Sequence, residues 1–198
     1  MNSGTRSLPA GPTPGTGGSL PPVTAARPAY HRRVQRLGLR PWPLFSGLGP
    51  VGALPTAPGV ARGFTATVLG GWDMAGRGDL ADVSTLVVSE LSTNVVDRAT
   101  DAGGGPRYLA DGRMTVLWLR LMTNRRALRV EVWDNLPPSA GFPVLRTPET
   151  TEEHGRGLAV VQRLSRAWGW HPVPGMNAKC TWAVLQASQL DVPVPCTG

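Results

Sequence analysis

In SELSTNVVDRAT (89–100), Glu90 and Asn94 stand four residues apart beside what reads as the buried apolar face of a helix. At that spacing the two side chains point the same way. A carboxylate there can orient or deprotonate a water or hydroxyl. A carboxamide oxygen is a hard ligand suited to Mg²⁺, which keeps waters and binds substrate phosphates as well. The plainer alternative is two polar residues at the edge of an amphipathic face.

Two further stretches carry candidate chemistry. In LRVEVWDN, strand alternation puts Leu128, Val130, Val132 and Asp134 on one face. If that face packs on helices, the Asp134 carboxylate ends the strand at the rim of the core. A semi-buried carboxylate there needs a donor, such as the exocyclic amine of a purine. The alternative is an Asp that ends the strand and starts a turn. In EEHGRGLAVV, Gly155 and Gly157 flank Arg156 at the start of a helix. Glycine lets a backbone approach a ligand, and free N–H groups at a helix N-terminus favour a phosphate. Arg156 adds a charge-assisted contact if it turns inward. An ordinary loop-to-helix junction is the competing reading.

The elements that must hold these residues follow from periodicity. PGVARGFTATVLGGWDM (58–74) reads as a helix begun by Pro58 and weakened by Gly70-Gly71. Residues 79–100 give the strongest helix, with Asp79 able to cap its start. RMTVLWLRLM (113–122) and ALRVEVWD (127–134) read as a hairpin joined by TNRR. Residues 135–153 form a long Pro-rich loop of the kind that serves as a lid. A helix over 155–168 and two strands, GWHPVP and KCTWAVLQA, complete the set. The order α-α-β-β-loop-α-β-β lacks βαβ alternation. It implies an α+β fold, a mostly antiparallel sheet layered on helices. The Trp residues of these strands and helix ends are expected to pack rather than to stack on a ligand.

Charge and composition bound the rest. Residues 1–54 hold six Arg, no Asp or Glu, nine Pro and nine Gly, and are expected to be a disordered tail. The folded domain is expected over 55–187, with a second tail over 188–198. The net charge of +7 therefore lies almost wholly in the tail. Such a tail attracts acidic partners or nucleic acid without specificity, and no base-reading motif accompanies it. Of 20 basic residues, one is a lysine, Lys179. The two cysteines, Cys180 and Cys196, lack metal-ligand spacing and suit free thiols in a reducing, cytoplasmic setting. No apolar run has the ~18 residues needed to span a bilayer, and no signal peptide is evident.

In order and spacing the three stretches resemble the Bergerat-fold (GHKL) ATP-binding domain, the superfamily of gyrase and the histidine kinases. Within it the likeness is to the anti-sigma-factor serine kinase branch and its stand-alone bacterial relatives. VVSELSTNVVDRAT is similar to the N box, commonly E-L-x-x-N-A-x-x-H-A. VEVWDN is similar to the G1 box, HGRGLAVVQRLSRAWGW to the G2 box and its helix, and KCTWAVL to the closing strand. The likeness covers about residues 58–187.

The resemblance implies a two-layer α/β sandwich of the Bergerat type and Mg²⁺-ATP as cofactor. It makes Glu90 the general base, Asn94 the Mg²⁺ ligand and Asp134 the acceptor for the adenine amine. Gly155, Arg156 and Gly157 would lie at the phosphates under the loop as a lid. It implies phosphorylation of a Ser or Thr on a partner, a sigma factor or an anti-anti-sigma-type regulator, and a homodimer. The chain departs from the family in three places. Asp134 is followed by NLPPSAG instead of x-G-x-G, Arg98 replaces the usual His, and the G2 box has one glycine fewer than in histidine kinases. These departures put ATP binding ahead of efficient catalysis. They leave open a catalytically inactive, nucleotide-gated binding module. A histidine kinase fragment ranks below both, because His31 lies in a Pro-bounded basic segment and His154 and His171 fall inside the ATPase-like region.

Overall fold

A computed structural model of the chain describes residues 42–76, 79–136, 157–173 and 177–186. Its elements run β1 (Leu44–Gly52), α1 (Ala57–Gly71), α2 (Leu80–Arg98), β2 (Val116–Thr123), β3 (Ala127–Asp134), α3 (Gly157–Leu164), β4 (Ala167–Pro172) and β5 (Lys179–Gln186). The strands form one five-stranded sheet in the order β1-β2-β3-β5-β4, with every neighbouring pair antiparallel. The α+β class inferred from the sequence is thus the observed one.

Strand alternation decides which side of the sheet meets the helices. Leu117, Leu119 and Leu121 of β2, Leu128, Val130 and Val132 of β3, and Ala183 and Leu185 of β5 share one face. They form a single core cluster with Ala61 and Leu69 of α1, Val87, Leu91 and Val95 of α2, and Leu158 and Val161 of α3. All three helices among the described residues therefore pack on one side, consistent with a two-layer sandwich. Asp134 continues the same alternation, so it ends β3 on the helix side.

The opposite face carries charges and indoles. Glu131 takes a bond from Arg129 Nε at 2.7 Å and one from the Trp133 indole at 3.1 Å. The Arg129 guanidinium lies 4.9 Å from the Trp182 ring centre, and that of Arg120 lies 5.3 Å from Trp133. These tryptophans pack, as expected, and in addition satisfy buried charge.

The β2–β3 hairpin forms at the expected place. Its turn is closed by Thr123 Oγ1 donating to the Ala127 carbonyl at 2.8 Å, and by Asn124 Oδ1 accepting from Ala127 N–H at 3.0 Å. Pro58 sits in the first turn of α1 and Gly70-Gly71 close it. Three details differ from expectation. Asp79 precedes α2 without a side-chain capping bond. The third helix stops at Leu164, and Ala167–Pro172 pairs with β5 instead, because the ladder places Trp168 opposite Ala183 and against the core.

The third difference lies inside the expected tail, where residues 44–52 form strand β1. β1 is an edge strand and needs one ladder partner, β2, so its Pro and Gly are tolerated. Pro50 falls at the register shift between Leu48 and Val51. Gly49 has φ +123°, and a Cβ there would sit 2.9 Å from the Leu117 carbonyl oxygen and the Trp118 ring. The structured part thus begins before residue 55; residues 1–41 and 187–198 lie outside the described residues.

Candidate functional site

Helix α2 supplies the backbone of the site. Glu90, Asn94 and Arg98 follow at successive turns and are all half-buried, at the edge of the side whose leucines and valines fill the core. The side chains of Glu90 and Asn94 face the start of α3. A Cβ built on Gly157 would meet Glu90 Oε2 at 2.4 Å and Asn94 Nδ2 at 3.7 Å. No side chain larger than hydrogen fits there unless Glu90 shifts. Two stretches more than sixty residues apart in the chain are thus brought into contact at the positions singled out by sequence.

The Asn94 amide nitrogen is buried without a hydrogen-bond partner. A half-turn of the carboxamide exchanges its donor and acceptor ends, so the site has a buried amide atom free to donate or to accept. Glu90 is the other active group. Burial first, and then the neighbouring Asp97 carboxylate, push its carboxyl above the ordinary value. A carboxyl so placed is a better proton acceptor near neutral pH than a solvated one.

Asp134 is fully buried at the end of β3. Its Oδ1 accepts from Lys179 Nζ at 2.7 Å and from Leu136 N–H at 3.0 Å. Its Oδ2 is buried with no partner. Burial raises the carboxyl above its ordinary value, against the opposing pull of the Lys179 ammonium, the Leu136 N–H and the Arg98 guanidinium. Arg98 therefore links the two halves of the site: it is one turn beyond Asn94 and close enough to Asp134 to act on its charge. The residues after Asp134 are tied down. Asn135 Oδ1 accepts from Val116 N–H at 2.8 Å, its amide donates to the Met114 carbonyl at 3.3 Å, and Leu136 is buried.

Glu90, Asn94, Asp134 and Gly157 are all described, and α2 connects them. Gly155 and Arg156 lie outside the described residues, as does the expected lid beyond Leu136. Lys179 was not singled out from the sequence as a site residue. The one signal for it was its rarity, a single lysine among 20 basic residues. Among the described residues no cluster of three or more His, Cys, Asp or Glu side chains is placed to hold a metal ion. Nor is any helix among them long and apolar enough to cross a membrane. Cys180 is a free, buried thiol whose ionisation burial pushes well up.

The arrangement offers a half-buried carboxylate, an unpartnered amide nitrogen and a glycine at a helix start at one end, and an open buried acceptor at the other. No protein-family model matches the chain, and no curated protein matches it in sequence.

Proposed function

We propose that the chain is an ATP-binding regulatory protein of the Bergerat type, similar to the anti-sigma-factor serine/threonine kinases. One observation carries the reading. Gly157 at the start of α3 stands against Glu90 and Asn94, and Asp134, with its Oδ2 open, ends β3 on the helix side within reach of the Arg98 charge.

The open polar atoms suit Mg²⁺-ATP. Asp134 Oδ2 would accept a hydrogen bond from the exocyclic amine of adenine. The Asn94 carboxamide would hold Mg²⁺, which usually takes few protein ligands and completes its shell with phosphate oxygens and water. Bound there, the ion would neutralise charge on the phosphates. Gly157, with Gly155 and Arg156, would lie at the phosphates, where the free N–H groups of α3 favour an anion. Glu90, raised by burial, would orient or deprotonate the attacking hydroxyl of a partner's Ser or Thr. Phosphoryl transfer asks a protein mainly for position and charge neutralisation. On this reading the partner is a sigma factor or an anti-anti-sigma-type regulator, and the chain acts as a cytoplasmic homodimer.

A second reading, a nucleotide-gated binding module without kinase activity, is favoured by the turn after Asp134. Asn135 and Leu136 are held by β2 and the core where the family carries flexible glycines.

Thermal melting of the full chain with Mg²⁺ and ATP tests binding directly. A ligand at a hundred times its Kd stabilises by about 2.7 kcal/mol. A rise in Tm that saturates with ATP supports the reading, and an unchanged Tm at millimolar ATP contradicts it.

A further inference from the structure

The ion pair that joins β3 to β5 is only half satisfied. Asp134 and Lys179 are register partners, 0% and 2% exposed. Lys179 Nζ and Leu136 N–H both donate to the same oxygen, Oδ1, and the buried Oδ2 has no partner. An ammonium carries three donors, and the only hydrogen bond this one makes among the described residues is to Asp134. A buried ion pair is stable only when its remaining lone pairs and protons are met. The pair therefore presents an open acceptor next to unused donors. Its complement is a planar group with a donor and an acceptor on two atoms bonded to the same carbon.

The geometry points to Lys179 as a second base-reading residue, donating to ring nitrogen N1 of adenine while Asp134 Oδ2 accepts from the exocyclic amine. The inference rests on the ATP reading above and adds a specificity device to it. An ammonium can donate but never accept. Guanine in the same orientation would set O6 against the carboxylate oxygen and N1–H against the ammonium, two mismatched contacts. A base would thus be selected by both members of one salt bridge, rather than by the carboxylate alone. The pair also ties selection to the β3–β5 ladder, whose register fixes the spacing of the two groups.

The test is calorimetric titration of the full chain with Mg²⁺ and three ligands: ATP, 1-deaza-ATP, which lacks the N1 acceptor, and GTP. A hydrogen bond to a charged donor predicts that 1-deaza-ATP binds about 10- to 100-fold more weakly than ATP, with GTP weaker again. A K179M/D134N chain leaves no lone buried charge and keeps a carboxamide oxygen to accept from the amine; there ATP should bind more weakly than to the parent and within about twofold of 1-deaza-ATP. Equal affinities for ATP and 1-deaza-ATP in the parent chain, or discrimination that persists in the double variant, would overturn the role of Lys179 alone. Failure of the parent chain to bind ATP at all would overturn the nucleotide reading and this inference with it.

Discussion

Gly157 stands against Glu90 so closely that a methyl group on its Cα would lie 2.4 Å from the carboxylate oxygen. The glycine has no left-handed backbone to explain it. Its helix would accept alanine on propensity grounds. The position is kept small by the carboxylate opposite. A Gly157→Ala chain is expected to keep its fold, because the clash is with the mobile end of a side chain, and to lose at most about 1 kcal/mol. It should weaken ATP binding by displacing Glu90 and Asn94. Melting and titration of the same sample check the two halves. A Tm collapse would show the glycine to be structural.

The buried pair of Asp134 and Lys179 predicts a strong asymmetry between single and double substitutions. Asp134→Ala strands the Lys179 ammonium in the core and should cost about 3–5 kcal/mol. Loss of ligand binding in that variant would therefore be ambiguous. Asp134→Leu with Lys179→Met removes both charges, keeps apolar volume, and is expected to be neutral or stabilising. Chemical denaturation of the three chains decides it. A double variant less stable than Asp134→Ala would contradict the pairing.

Glu90 carries a pH signature. Its folded-state value is raised above the ordinary 4.5 by burial and by Asp97. The folded state then holds the extra proton, so stability falls as pH rises through the window between the unfolded and folded values. The cost is present in full above the folded value. Glu90→Gln should accordingly melt higher than the parent at pH 7, with the difference vanishing below about pH 4. A Glu90→Gln chain that melts lower at pH 7 would show that the carboxylate is a structural contact and not a functional group held at a cost.

Strand β1 yields a prediction for the region first read as tail. Gly49→Ala forces a side chain into φ +123° and to 2.9 Å from the Leu117 carbonyl oxygen. It should cost about 1–3 kcal/mol by lifting β1 from β2. Deleting residues 1–54 should do more harm than Gly49→Ala, since it removes β1 and bares the edge of β2. Hydrogen exchange of the β2 amides measures both. Unchanged protection in the truncated chain would show β1 to be dispensable.

What could be seen from sequence alone depended on whether local pattern and tertiary demand agreed. α2 and the β2–β3 hairpin showed themselves because their apolar periods match the face they bury. Alternation put Asp134 on the helix side, and helical spacing put Glu90 beside Asn94. β1 was hidden because LFSGLGPVG is rich in Gly and Pro and has no apolar alternation, with Phe45 facing outward and Ser46 inward. An edge strand tolerates such residues, but only its partner reveals it. The apolar run that suggests a helix continues through Trp168, but the third helix ends at Leu164 because pairing with β5 wins beyond it. Lys179 was invisible as a site residue for a related reason. Its partnership with Asp134 exists only in the β3–β5 register, which no local pattern encodes.

The central claim is that the convergence around α2 is a nucleotide site, and one measurement reaches it most directly. The parent chain is titrated calorimetrically with ATP and Mg²⁺, beside the Asp134→Leu/Lys179→Met chain, with folding of both verified by melting. Saturable binding by the parent is expected, and none by a double variant that melts as high. Equal binding by both chains, or no binding by a folded parent up to millimolar ATP, would contradict it.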